Sequence, residues 1–121
     1  MKFYYCENCH SILTFVKEEK ELSCCGMPLK ELVPNTFNAS MEKHIPVLER
    51  MGDHVIAKVG SLPHPMLPEH YIEWVILETT HGYQLKNLKP NDAPVAEFIL
   101  AKNEEILTAY AYCNIHKLWK A

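Results

Sequence analysis

From about Phe37 onward the chain runs in short stretches of aliphatic, β-branched and aromatic residues broken by turn-forming ones. In His54–Gly60, Val55, Ala57 and Val59 alternate with Ile56 and Lys58. In Glu105–Cys113, Ile106, Thr108, Tyr110 and Tyr112 alternate with Leu107, Ala109 and Ala111. Tyr71–Thr79, Gly82–Leu88 and Val95–Ala101 are built from the same residue types. A period of two puts successive side chains on opposite faces, so each stretch is a predicted strand. Gly52-Asp53, Gly60-Ser61, His81-Gly82 and Lys89-Pro90-Asn91-Asp92 separate them as turns. Ala101–Ala109 also admits a helix, but Phe98-Ile99-Leu100 before it and Tyr110-Ala111-Tyr112 around its end favour extended chain. Strands at this spacing predict an antiparallel sandwich or barrel.

The segment up to about Val33 is different. It is too short to hold an apolar core together, and chains below ~40 residues need a metal, disulfides or association. Val33-Pro34-Asn35-Thr36-Phe37-Asn38 reads as a linker, because Pro and Asn interrupt regular structure. The expected organisation is a small domain over 1–36 and a larger one over 37–121. Composition agrees: 48% of the 121 residues are hydrophobic and 22% charged, which excludes disorder, collagen and coiled coil as the main state. No apolar run is long enough to span a membrane. The opening MKFYYCENCH has no apolar secretory core, so a cytoplasmic location is expected. A net charge of −3 argues against a nucleic-acid binder with a broad basic face.

Five cysteines and seven histidines carry the chemistry. Five is odd, and in a reducing compartment clustered cysteines more often bind metal than form disulfides. Cys6-Glu7-Asn8-Cys9 is a C-x-x-C pair, and Cys24-Cys25 follows. Four thiolates suit a tetrahedral zinc or iron ion. Adjacent cysteines are unusual ligand partners, since neighbouring side chains diverge. A disulfide remains an alternative, as does haem attachment through Cys6-Glu7-Asn8-Cys9-His10, which fits C-x-x-C-H but leaves Cys24 and Cys25 unexplained. On the metal reading His10 is an ordinary exposed residue.

A second set lies downstream. His44 sits in Met41-Glu42-Lys43-His44-Ile45-Pro46; His64 and His70 flank a proline-rich loop, and Cys113 and His116 form a C-x-x-H pair. Proline fixes φ and lowers the cost of holding ligands. Each cluster falls at a predicted strand end or loop, where sandwiches carry their sites. His54 and His81 lack such surroundings and are read as ordinary residues.

With these motifs in order, the whole chain resembles the desulfoferrodoxins, the two-iron class of superoxide reductase. The first 36 or so residues are similar to desulforedoxin, through Cys6, Cys9, Cys24 and Cys25. The remainder is similar to the neelaredoxin-type catalytic domain, through Glu42 to Pro46, His64 to Trp74 and Cys113 to Trp119. The resemblance implies a mainly β protein: a small rubredoxin-like metal domain followed by an immunoglobulin-like antiparallel β-sandwich. It implies two irons, one on the four cysteines. The other would have four equatorial nitrogens from His44, His64, His70 and His116 and an axial thiolate from Cys113. It assigns Lys43 to steering superoxide and organising water for proton delivery, and Glu42 to binding the oxidised resting iron. It implies one-electron reduction of superoxide to hydrogen peroxide, with electrons from a rubredoxin-like donor. It also implies a homodimer that would help bury Phe3, Ile12 and Leu22. The family usually has Gly directly after the last ligand histidine, where this chain has Lys117. The competing class is a zinc-ribbon-like binding module on a non-catalytic sandwich, which accounts for the four early cysteines and not for the later set.

Overall fold

The computed structural model describes residues 1–17 and 21–121. These divide into two compact units, Met1–Val33 and Pro34–Ala121. In the first unit β1 (Phe3–Tyr5) lies between β2 (Ile12–Thr14) and β5 (Lys30–Leu32), antiparallel to both. A second ribbon pairs β3 (Ser23–Cys24) with β4 (Met27–Pro28). Phe3 is buried within the single chain, whereas Leu22 is exposed.

The second unit is a sandwich. After the single-turn helix α1 (Met41–His44) come β6 (Pro46–Met51), β7 (His54–Val59), β8 (Ile72–Thr79), β9 (Gly82–Asn87), β10 (Val95–Ile99), β11 (Ile106–Cys113) and β12 (Lys117–Lys120). One sheet has the order β10-β7-β6 and the other β12-β11-β8-β9, with every pairing antiparallel. The alternation in the sequence sets the faces. Val55, Ala57 and Val59 of β7 and Ala96 and Phe98 of β10 face one way. They meet Val75 and Leu77 of β8 and Ala109, Ala111 and Cys113 of β11 in one core. Burying such side chains contributes roughly 1.5–3 kcal/mol for each large one.

The five anticipated strands are present with ends shorter by one or two residues. Two further strands, β6 and β12, were not anticipated. Both are sheet edges. Pro46 opens β6, and proline is tolerated at the first residue of an edge strand. Charged residues lie along β6 and at both ends of β12, where they interrupt the apolar pattern. Asn35 pins the start of this unit to β12: its side chain accepts from Lys120 N (2.8 Å) and donates to Lys120 O (3.1 Å). Its backbone N–H donates to Leu118 O (3.1 Å).

At the far end of β8, Thr79 and Glu104 form a buried polar pair. The Thr79 hydroxyl donates to the Glu104 carboxylate, and Ala101 N donates to its other oxygen at 2.8 Å. These two donors hold the Glu104 carboxyl below its usual value of 4.5. A carboxyl depressed by folding stabilises the native state above its unfolded value, and that contribution is lost as pH falls through the lowered one. Glu104→Gln should therefore melt below the wild type at neutral pH, and the gap should close below pH ~4. Thermal melts across that range check it; a gap that is independent of pH contradicts the assignment.

Candidate metal centres

Four imidazoles and one thiol converge at one end of the sandwich. One ligand-type atom from each of His44, His64, His70, Cys113 and His116 lies within 4.8 Å of all the others. The rings form a closed cycle. His44 and His64 have centroids 4.6 Å apart, His64 and His70 4.6 Å, His70 and His116 5.0 Å, and His116 and His44 4.9 Å. Each neighbouring pair is nearly perpendicular, between 74° and 87°.

Local hydrogen bonds fix which nitrogens face inward. His44 Nδ1 lies 2.6 Å from Ser40 O, and His64 Nδ1 lies 2.7 Å from Pro65 O. A carbonyl only accepts, so both Nδ1 atoms carry the proton and both Nε2 atoms are bare in the neutral ring. Those two Nε2 atoms stand 3.1 Å apart, lone pair toward lone pair. His44 Nε2 is also 3.0 Å from His116 Nδ1. Burial, the largest cause, lowers the pKa of His44, His64 and His70, that of His64 to about 4. Burial thus disfavours the uptake of a proton that would relieve the repulsion. His70 Nε2 is buried and has no hydrogen-bond partner. Lone pairs pointed at one another and a buried orphan nitrogen are what a metal cation between them would satisfy, so the donor set fits one.

Each of these segments is held by its backbone. His64 N donates to Val59 O (2.9 Å). Leu67 and His70 exchange both backbone hydrogen bonds (2.9 and 3.0 Å), closing a tight hairpin over Pro68 and Glu69. Asn114 couples this hairpin to the Cys113–His116 turn: its side chain accepts from Tyr71 N (2.9 Å) and donates to Glu69 O (3.1 Å), bracketing His70. Trp119 stacks on His44 at 4.7 Å, and its indole N–H donates to His116 O at 2.9 Å. Cys113 is fully buried, and burial pushes its thiol upward, opposed by the backbone N–H groups of His116 and Ile115. The His116 N–H lies 3.4 Å from its sulfur. Lys117, where the resemblance leads one to expect glycine, has φ +67. The chain keeps the left-handed conformation that glycine enters freely, at a cost of roughly 1–2 kcal/mol for a residue with a Cβ.

Glu42 and Lys43 are exposed on α1, immediately before His44. The Lys43 charge contributes to lowering both His44 and His70, so its field reaches the cluster. α1 rests on Gly60. A Cβ there would lie 2.5 Å from Glu42 O and 3.0 Å from Ile45 O.

In the first unit Cys6, Cys9, Cys24 and Cys25 form a second group, their sulfurs again all within 4.8 Å. Cys9 and Cys24 sulfurs are 3.4 Å apart and Cys24 and Cys25 3.8 Å, well beyond the ~2.05 Å of a disulfide. The adjacent pair converges rather than diverging, and the turn explains why. Cys24 pairs with Met27, leaving Cys25-Gly26 as a two-residue loop, with φ +54 and +73. Positive φ at both positions marks a type I′ turn. It swings the Cys25 side chain toward that of Cys24. The Ser11 hydroxyl lies 3.0 Å from Cys9 Sγ. Hydrogen bonding from Ser11 is the largest cause lowering Cys9 to about 6, whereas Cys24, among other thiols, is pushed up to about 12. His10 is exposed and bonded to the Tyr5 hydroxyl at 2.6 Å.

The sequence had pointed to all nine of these cysteines and histidines, and the structure gathers them into two groups. Ser11, Gly60 and Asn114 were not anticipated. A Ser two positions after a C-x-x-C pair and an Asn inside C-x-x-H are the signals that could have drawn attention to two of them.

Fold and donor sets together define a β-sandwich metalloprotein with one all-sulfur group and one mixed nitrogen–sulfur group. Comparison with known proteins gives the family. The Desulfoferrodoxin family profile matches residues 36–121, and the chain belongs to that family. A desulfoferrodoxin homolog of Archaeoglobus fulgidus is 43% identical over 122 residues, covering 100% of this chain and 96% of the relative. The desulfoferrodoxin of Nitratidesulfovibrio vulgaris is 38% identical over 121 residues, covering 99% and 94%. The crystal structure of the superoxide reductase from Treponema pallidum superposes with a TM-score of 0.82 at 38% identity, covering 98% of both chains.

Gly60→Ala tests how α1 is seated. The added methyl must displace the backbone of Glu42 and Ile45, and with it His44. Overpacking of this kind should cost ~1–3 kcal/mol. The variant should also lose bound metal faster under a chelator than the wild type. Unchanged stability together with unchanged metal release would show that α1 does not depend on this close approach.

Proposed function

We propose that this chain is a superoxide reductase carrying iron at two centres. Cys6, Cys9, Cys24 and Cys25 would hold one, and His44, His64, His70, His116 and Cys113 the other. The observation that carries the reading is the cycle of four imidazoles, with the bare Nε2 atoms of His44 and His64 facing each other and His70 Nε2 unpartnered, beside one buried thiol in a fold shared with a named superoxide reductase. The overall change adds one electron and two protons to superoxide and yields hydrogen peroxide. Iron bound by the four histidines and Cys113 would supply the electron.

The chain's own residues do the rest. A divalent ion with one thiolate and four neutral imidazoles leaves a positive centre, so a small anion is attracted despite the net charge of −3. The Lys43 ammonium adds to that local field and organises water for proton delivery. The Glu42 carboxylate, on the same exposed turn, would be available as a further oxygen donor to a bound metal. Cys113 would hold the metal as a thiolate and supply electron density to it, as thiolates do in other iron sites. The N–H groups of His116 and Ile115 stabilise its negative charge in the buried setting. The electron source is a small redox protein of the rubredoxin kind, and the working form is a cytoplasmic homodimer. Among the described residues no helix is long and apolar enough to cross a membrane.

Visible spectroscopy with elemental analysis tests the reading. Iron at both centres and ferric-thiolate absorption support it, and a colourless protein purified from its native source with zinc throughout contradicts it. Lys43→Ala should slow the reaction with superoxide about 10-fold at low ionic strength and flatten its salt dependence. Pulse radiolysis at graded salt measures both, and an unaltered low-salt rate removes the steering role. Cys113→Ser should abolish the thiolate-to-iron absorption of the mixed centre; survival of that band would reassign the sulfur.

A further inference from the structure

The four cysteines are not equivalent, and one neighbour sets one of them apart. Cys6 is buried with its sulfur near Cys24 O, at 3.8 Å. The Cys24 sulfur lies 3.4 Å from that of Cys9 and 3.8 Å from that of Cys25. Cys9 is exposed, and the Ser11 hydroxyl stands 3.0 Å from its sulfur. A metal-bound thiolate has no proton to give, so in the loaded centre this contact runs from the hydroxyl to the sulfur.

We propose that Ser11 sets the reduction potential of the four-cysteine centre by donating its hydroxyl to the Cys9 thiolate. This rests on the reading that the centre holds iron. Adding an electron to a metal–thiolate group increases its negative charge. A donor aimed at a sulfur stabilises that extra charge and raises the potential, and hydrogen bonds to sulfur are an established lever at such centres.

The loop does not need the hydroxyl for its shape. Cys6 N donates to Ser11 O (3.0 Å), and His10 N donates to Cys6 O (2.9 Å). Ile12, the next residue, already pairs with Tyr5 in the β1–β2 ladder. The Tyr5 hydroxyl further ties down the His10 side chain, whose residue carries the loop's positive φ of 63. Backbone bonds on both sides of Ser11 thus fix where its side chain points. The hydroxyl is left as an electrostatic element rather than a structural one.

Ser11 lies outside the C-x-x-C pair and is not a metal ligand. It acts through Cys9, which makes it a positioning residue for charge. The Ser11 backbone N–H also bonds to the Cys9 sulfur, and the hydroxyl is the larger of the two contributions and the one that Ser11→Ala removes.

The test is a potentiometric titration of the full-length, iron-loaded chain, followed by its ferric-thiolate absorption, for the wild type, Ser11→Ala and Ser11→Thr. The mixed histidine–cysteine centre of the same molecule is the internal reference. Ser11→Ala should shift the four-cysteine midpoint to lower potential and move its charge-transfer band to lower energy. Ser11→Thr, which keeps the hydroxyl, should restore both. The reference centre should titrate identically in all three. An unmoved midpoint in Ser11→Ala overturns the proposal, as does an equal shift in Ser11→Thr, which would trace the effect to the turn. Absence of a ferric-thiolate band from the four-cysteine centre of the loaded wild type would overturn the iron reading as well. That separates the two failures.

Discussion

The larger unit is organised around a repulsion. The bare Nε2 atoms of His44 and His64 stand 3.1 Å apart, in a buried setting that lowers the pKa of both rings. An unsatisfied buried polar group costs ~1–3 kcal/mol, and His70 Nε2 at this end of the sandwich is one. The tautomers of His44 and His64 are set from outside the ring, by the carbonyls of Ser40 and Pro65. The donor set is therefore preorganised for a cation and poorly satisfied without one. Metal binding and native stability are coupled for that reason.

Rigid supports make such an arrangement tenable. Cys113 is the last residue of a central strand, and His44 is clamped between the Ser40 carbonyl and the Trp119 ring. The loop with His64 and His70 is closed by its own small hairpin and laced to the Cys113–His116 turn by Asn114. The smaller unit solves a different problem. It has little apolar surface to bury, and its four thiols take the place a core would have.

The larger unit was the more legible part of the sequence. Val55, Ala57 and Val59 alternate cleanly because β7 is the central strand of its sheet, with one face on the core. The strands β6 and β12 were hidden, since charged residues break up the apolar pattern in both. The ligand residues were legible because histidine and cysteine clusters are rare without a reason. Their supports were less so: Ser11 and Asn114 are marked only by their nearness to the ligand motifs, and nothing separates Gly60 from an ordinary turn glycine. The convergence of Cys24 and Cys25 was hidden for a geometric reason. It depends on Cys25 adopting a positive φ, a choice the Gly26 neighbour hints at but does not dictate.

The spread of the donors along the chain has a consequence for biosynthesis. The four thiols fall between positions 6 and 25, within a hairpin-sized stretch. The mixed set runs from 44 to 116, and its parts meet only when strands distant in sequence have paired. Closing long loops is slow and comes late. A ribosome-bound nascent polypeptide could thus charge its sulfur cradle early. The other cradle must wait for the sandwich to shut, which makes the two loading events sequential, with the second reporting that maturation is complete.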